Sequence, residues 1–261
     1  MKKFALCILL AVLFQALVIP FFSEANYDTI DLQNANLPPS FSHLFGTDDL
    51  GRDIFIRCSY GARISLTVGI AAALVDLVVG LIWGGIAGLY GGKVDEIMMR
   101  GADICYSLPY LLPVILLTVV LGPGLFTVVI ALTITGWINM ARVVRAQVMQ
   151  LNRQEYVLAA AALGASQTRI LCKHILPNAL PSIISTLTLT IPAAIFAEAF
   201  LGFLGLGIQA PAASWGTMAN EGLPALEYYP WRIFFPIGLI TLTILAFNIL
   251  GNCLADEVEI L

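Results

Sequence analysis

Two carboxylates lie within apolar runs that are long enough to cross a bilayer, and they are the residues best placed for chemistry there. Asp76 lies near the middle of the run over 64–90, where a carboxylate is costly and is either functional or hydrogen-bonded to a neighbouring helix. Glu198 lies about 25 Å along a helix that rises from Pro181, toward the outer leaflet. We predict that Glu198 lines a wet vestibule and that Asp76 packs between helices, and both are candidates for a translocation path.

The sequence contains no motif for phosphate binding or hydrolysis. Gly92 and Lys93 lack an upstream glycine at the P-loop spacing, and neither H-E-x-x-H nor G-x-S-x-G occurs. The five cysteines stand apart, and His43 and His174 are expected on opposite sides of the membrane, which argues against a shared metal site. We therefore predict that the chain is not an enzyme and itself binds no cofactor or metal.

The composition is that of a membrane protein. The chain has 261 residues, of which 59% are hydrophobic and 11% charged, whereas average soluble domains carry about 25% charged residues. Its net charge of -4 comes from 13 basic and 17 acidic residues, which provide no nucleic-acid-binding face. We predict an all-α, polytopic bundle of about six transmembrane helices in contact with lipid, with no nucleic-acid partner.

Six apolar runs are candidates for these helices, namely 4–22, 64–90, 104–121, 125–140, 182–206 and 233–254. The first is longer than the apolar core of a signal peptide, which favours a retained anchor, although small residues near Ser23-Glu24-Ala25 leave a cleaved signal peptide open. Gly122-Pro123-Gly124 predicts a tight hairpin between the third and fourth runs. The predicted organisation is an anchor over 1–23, a periplasmic segment over 24–63 and a transmembrane domain over 64–261.

The basic residues predict the orientation, because loops rich in Lys and Arg stay in the cytoplasm. With the N-terminus inside, four arginines lie outside, namely Arg52, Arg57, Arg63 and Arg232. Nine basic residues then lie inside, namely Lys2, Lys3, Lys93, Arg100, Arg142, Arg145, Arg153, Arg169 and Lys173. This asymmetry favours a multi-pass protein with a cytoplasmic N-terminus.

Small residues and prolines predict how the helices pack. Gly80, Gly84 and Gly88 recur every four residues in the second run, a pattern that lets a neighbouring helix approach closely. Pro109 and Pro113 each remove a backbone donor from the third run, so we expect that helix to kink.

The polar stretch between the fourth and fifth runs carries two predicted short helices. Asn152 is expected to cap the first, with Glu155 completing a capping box, and Gly164 to end it in a left-handed conformation. Ser166 is expected to cap the second, which Pro177 ends. The alanine-rich face of the first helix suits docking into a groove of another protein, although composition also allows an amphipathic helix lying on lipid.

This stretch resembles the EAA loop of permease subunits in bacterial binding-protein-dependent ATP-binding cassette importers. The resemblance lies in Leu158-Ala159-Ala160, in Gly164 and in the stretch over 174–178, His-Ile-Leu-Pro-Asn. It implies a coupling loop over about 142–178 whose short helix docks on a cytoplasmic ATPase subunit. The implied ATPase-coupling residues are Glu155, Leu158, Ala159, Ala160, Gly164, His174 and Pro177.

Further motifs narrow the resemblance to the C-type permeases of the dipeptide, oligopeptide and nickel branch. They lie over 43–53, 60–66, 203–207, 214–216 and 245–248. The resemblance implies the bacterial inner membrane, a homologous permease partner, an outer solute-binding protein and two ATP-binding subunits that hold the ATP and Mg. The chain departs from the family at Leu158, which replaces the usual loop glutamate, so docking is expected to rely on shape and on Glu155.

The sequence favours a peptide as the substrate, because the predicted spans contain no histidine or thiolate constellation for nickel. Nickel or another small solute remains the alternative. A proton-coupled secondary transporter that uses Asp76 and Glu198 is a rival, but it would normally show internal repeats, and none is evident. We predict alternating access driven by separate ATPase subunits.

Overall fold

The computed structural model describes residues 1–22 and 27–259, and its elements in these ranges are helices. In chain order they are α1 Lys2–Leu17, α2 Ile19–Phe22, α3 Ile54–Tyr90, α4 Gly92–Tyr106, α5 Leu111–Leu121, α6 Leu125–Leu151, α7 Glu155–Ala162, α8 Gln167–Ile170, α9 Leu176–Phe203, α10 Trp215–Gly222 and α11 Trp231–Glu259. The predicted all-α class is confirmed. The possible cleavage site near Ser23-Glu24-Ala25 lies outside the described residues.

Five helical segments of the described chain are long and apolar enough to cross a membrane, namely Lys2–Phe22, Ile54–Tyr90, Leu125–Leu151, Gln167–Phe203 and Trp231–Asp256. A sixth span requires α4 and α5 together, which are bent by 77° where they meet. The predicted third span is therefore broken rather than merely kinked. Pro109 lies in the break, since it has no backbone N–H and disfavours helical geometry at Leu108.

Helix α3 begins at Ile54, well before the apolar run at 64. The Asp53 carboxylate caps it by accepting hydrogen bonds from the backbone N–H groups of Phe55 and Ile56, at 2.8 and 3.1 Å. Residues 54–63, which the sequence analysis assigns to the periplasmic segment, are thus the first turns of a long helix. Hydrophobicity alone misses these turns because they contain Arg57 and Arg63.

Helices α3 and α6 pack side by side along the glycine series. A Cβ added at Gly80 would lie 2.6 Å from Met140 Cγ, and one at Gly88 would lie 2.8 Å from the Arg145 carbonyl oxygen. The contacts advance in the same direction along both chains, so the two helices run parallel. Side chains at these positions would force the backbones apart.

Ion pairs stabilise the end of the bundle at which α3 and α11 begin. The Asp48 carboxylate accepts hydrogen bonds from Arg52 Nε and from an Arg57 terminal nitrogen, both at 2.7 Å. The same Arg57 nitrogen donates to Glu221 of α10 at 2.8 Å. Arg57 is buried, so these partners offset the cost of removing its charge from water. The segment before α3 is therefore tied to the helical bundle.

Candidate functional site

Helix α7 lies where α6 ends, and its first residue is Glu155. The predicted capping box is wrong, because Asn152 ends α6 and donates its backbone N–H to the Val148 carbonyl at 2.9 Å. Gln154 takes the N-cap position of α7 without a side-chain hydrogen bond. An ion pair between Arg145 of α6 and Asp95 of α4 joins the two helices near this end of α6.

The end of α7 has the geometry of a Schellman motif. Gly164 has a φ of +84°, a conformation that glycine adopts without a steric penalty. The Ala165 N–H donates to the Ala160 carbonyl at 3.1 Å, and the Gly164 N–H donates to Ala161 at 3.0 Å. The chain therefore turns sharply after α7, and these hydrogen bonds define the direction in which it leaves the helix.

Buried side chains fasten this loop to the bundle. Val157 of α7 and Ile170 of α8 are each only 2% exposed, and they belong to one apolar cluster with Val144 and Val148 of α6. The cluster continues into α9 through Ile183. This cluster thus packs α7 and α8 directly against two long helices, α6 and α9.

The outer face of α7 and the turn that follows it form an exposed surface, which we call the α7 surface. Its exposed residues are Glu155, Tyr156, Leu158, Ala159, Ala161, Ala162, Leu163 and Gly164. Leu158 and Leu163 are 58% and 88% exposed, whereas Ala160 is half-buried. Tyr156 and Leu163 were not among the predicted coupling residues, although large apolar residues beside a row of alanines are a recognisable sign of an exposed contact surface.

His174 and Pro177 belong to different elements from the α7 surface. Ser166 caps α8 as predicted, accepting from the Arg169 N–H at 3.4 Å. Pro177 does not end the second helix, because a π-helical turn over Leu171–Ile175 leads straight into α9. The wider turn and the position of Pro177 in the first turn of α9 accommodate a residue without a backbone N–H.

Glu198 does not lie in a wet vestibule of the described chain. Its side chain is fully buried, and its Oε2 accepts a hydrogen bond of 2.8 Å from Ser65 Oγ of α3. The height of Glu198 along α9 follows from the helix rise, but the side of the helix on which it lies does not. Glu198 is a contact between α3 and α9 here.

Asp76 instead lines a cavity of about 360 Å³ between α3, α6 and α9. The polar residues around it are Asp76, Tyr110, Thr135, Asn139, Thr186 and Thr190. Asp76 is only 4% exposed. Its Oδ1 atom and the Tyr110 hydroxyl are buried without a hydrogen-bond partner among the described residues. Asp76 thus lies between α3 and α6 as expected and also lines a cavity, whereas Glu198 is buried between α3 and α9.

Comparison with known proteins places these features in context. Residues 80–259 match the family described as "Binding-protein-dependent transport system inner membrane component". The chain is 60% identical over 254 residues to "Oligopeptide transport system permease protein OppC" of Bacillus subtilis (strain 168). This match covers 97% of this chain and 83% of the relative. It is 56% identical over 255 residues to "Dipeptide transport system permease protein DppC" of the same strain, covering 97% and 80%.

The fold also resembles that of a solved transporter. A chain of "Inward facing conformations of the MetNI methionine ABC transporter: CY5 native crystal form" superposes with a TM-score of 0.63 at 19% identity. The match covers 75% of this chain and 93% of that one. This similarity supports the predicted membrane-bundle architecture.

Proposed function

The chain belongs to the binding-protein-dependent transport system inner membrane components, and on this premise we propose that it is the permease subunit of an ATP-driven peptide importer. Similarity to an oligopeptide and a dipeptide permease protein across almost the whole chain carries this proposal. The chain supplies the path through the membrane, and it works with a solute-binding protein outside, a homologous permease and two cytoplasmic ATPase subunits. Those ATPase subunits bind the ATP and Mg.

The α7 surface is the proposed contact with one ATPase subunit. The surface is exposed, and the sharp turn at Gly164 ends the helix that carries it. A short helix that docks into a groove needs such an exposed face. Val157 and Ile170 join it to α6 and α9, so closure of the ATPase subunits moves these helices and alternates access to the path. Leu158 supplies apolar contact where the family usually has a charge, and Glu155 is the acidic group of the surface.

Uptake by the reconstituted complex tests the proposed function. The chain is purified with its native partner subunits, placed in proteoliposomes and supplied with ATP and radiolabelled tri-alanine. We expect uptake that requires both ATP and the solute-binding protein, and none when the phosphate-binding lysine of the ATPase subunits is replaced. Uptake of Ni²⁺ but not of tri-alanine would overturn the peptide assignment, and uptake driven by a proton gradient without ATP would support a secondary transporter.

The orientation proposed from the basic residues places α7 in the cytoplasm and residue 42 outside. Ser42 and Cys172 are both exposed, and they lie at opposite ends of the bundle. In variants that retain a single cysteine, an impermeant maleimide added to right-side-out vesicles is expected to label Ser42→Cys and not Cys172. Cys172 should label after the vesicles are opened, and the reverse pattern would contradict the orientation.

A further inference from the structure

We propose that the cavity beside Asp76 is a subsite for the N-terminal ammonium group of the transported peptide. The inference rests on the proposed function and deepens it, because it names the part of the substrate that the membrane path contacts. In this subsite the Asp76 carboxylate forms an ion pair with the ammonium group. The Tyr110 hydroxyl oxygen accepts a hydrogen bond from one of the ammonium N–H groups.

The first observation is the state of the two polar groups. Asp76 is nearly fully buried, and its Oδ1 atom has no hydrogen-bond partner among the described residues. The Tyr110 hydroxyl oxygen lines the same cavity and is also buried and unpaired there. Buried polar atoms are nearly always hydrogen-bonded in folded proteins, so these two atoms in one cavity are available to pair with a ligand that enters it.

The second observation is the close contact between the Asp76 carboxyl group and Gly136 of α6. A Cβ at Gly136 of α6 would collide with both carboxylate oxygens of Asp76. The carboxylate therefore rests against bare backbone, and any side chain at 136 would displace it. The absence of a side chain at Gly136 therefore provides the space that the Asp76 carboxyl group occupies.

The third observation concerns the remaining polar groups of the cavity. Thr186 donates its hydroxyl hydrogen to the Ser182 carbonyl at 2.9 Å, and Thr190 donates to the Thr186 carbonyl at 2.9 Å. Each of these hydroxyl oxygens can still accept a hydrogen bond through its lone pairs. None of the residues that line the cavity is cationic. The cavity thus has one carboxylate with no cationic side chain among its lining residues, together with hydroxyl and amide oxygens that can accept hydrogen bonds, and these groups suit a cation with several N–H donors.

The ammonium group suits this site better than a metal ion. Ca²⁺ takes six to eight oxygen ligands, usually from several carboxylates and carbonyls, and softer metals such as Ni²⁺ favour imidazole or thiolate ligands. The lining residues include one carboxylate, Asp76, and neither histidine nor cysteine. Every linear peptide with a free N-terminus carries the ammonium group whatever its side chains, so one subsite serves many sequences. The volume of about 360 Å³ is in the range of small-molecule sites.

Saturation-transfer NMR on the full complex in nanodiscs, without the solute-binding protein, measures this contact directly. The probes are tri-alanine and N-acetyl-tri-alanine, and weak binding is sufficient for the signal. We expect saturation transfer to tri-alanine in the wild type, and about tenfold less in Asp76→Asn, as loss of a charge-assisted hydrogen bond predicts. N-acetyl-tri-alanine should give the low signal with both proteins.

A second variant keeps the Asp76 side chain but moves its carboxyl group away from its position against Gly136. Gly136→Ala is expected to reduce the tri-alanine signal like Asp76→Asn, because the new Cβ displaces the carboxylate. Gly238→Ala is the matched control, since a Cβ at Gly238 in α11 meets nothing within 4 Å, and it should behave like the wild type. Gly136→Ala carries the test if Asp76→Asn does not assemble.

The outcomes separate the subsite from the proposed function. Equal signals from the two probes, or wild-type signals from both variants, would overturn the subsite while ATP-dependent uptake of tri-alanine by the wild type upheld the proposed function. Absence of that uptake in the wild type would overturn the proposed function itself. Wild-type uptake that a protonophore abolishes while ATP is held constant would assign Asp76 to proton transfer and overturn the ammonium subsite.

Discussion

Replacing Gly84 with alanine is expected to lower sharply the amount of folded protein that can be extracted from the membrane. The added Cβ would fall on the Ala141 carbonyl oxygen and lie 3.0 Å from the Arg145 backbone nitrogen. Both obstacles are backbone atoms of α6, so no side-chain rotation relieves the overlap. Overpacking of this kind costs about 1–3 kcal/mol and sometimes more, and it lies in the middle of the closest helix pair of the bundle.

The neighbouring glycine provides the control for this prediction. A Cβ at Gly85 would lie 3.4 Å from Leu171 Cδ2, which is ordinary van der Waals contact, so Gly85→Ala should leave the protein close to wild type. Both variants are compared by the yield of monodisperse protein in detergent and by Tm. Equal yields and equal Tm values for the two variants would show that α3 and α6 are not in the close contact described.

The sequence was sufficient for features that depend on local backbone chemistry. Glycines four residues apart indicate close helix packing because only a missing side chain permits it, and they lie against α6. Gly164 after a run of alanines indicates a left-handed helix end for a similar reason. Gly122-Pro123-Gly124 separates α5 from α6 because neither glycine nor proline sustains a helix there.

Features that depend on three-dimensional neighbours were beyond the sequence. The depth of Glu198 follows from helix rise, but its direction around α9 depends on how α9 rotates against α3, which one chain's pattern of apolar residues does not fix. The first turns of α3 can be buried because Arg57 is paired with the carboxylates of Asp48 and Glu221, which lie far from it or outside the helix. Asn152 suits a helix start and a helix end equally, and the packing of α6 decided between them.

Replacing Gly164 with valine is expected to lower both the stimulated ATP hydrolysis of the complex and the transport that this hydrolysis drives. At a φ of +84°, a β-branched residue is strained by about 1–2 kcal/mol, and the chain relieves this by changing the direction in which α7 ends. The proposed docking surface then no longer fits its ATPase subunit. ATP hydrolysis stimulated by the solute-binding protein and tri-alanine should fall about tenfold, as this free energy predicts, and less ATPase subunit should co-purify.

Gly122→Val is the matched control for backbone strain. Gly122 has a φ of +80°, and a Cβ there meets nothing within 4 Å, as at Gly164, but it lies at the opposite end of α6 from α7. It should retain stimulated hydrolysis.

Ala159→Trp tests the α7 surface without strain, because Ala159 is exposed and tryptophan is compatible with a helix. It should fail to couple in the same way as Gly164→Val while its yield and Tm stay at wild-type values. Normal stimulation in both Gly164→Val and Ala159→Trp would mean that the ATPase subunit contacts another part of the chain. Loss in Gly122→Val as well as in Gly164→Val would mean that backbone strain in a turn impairs the permease wherever the turn lies, and that α7 has no special part in coupling.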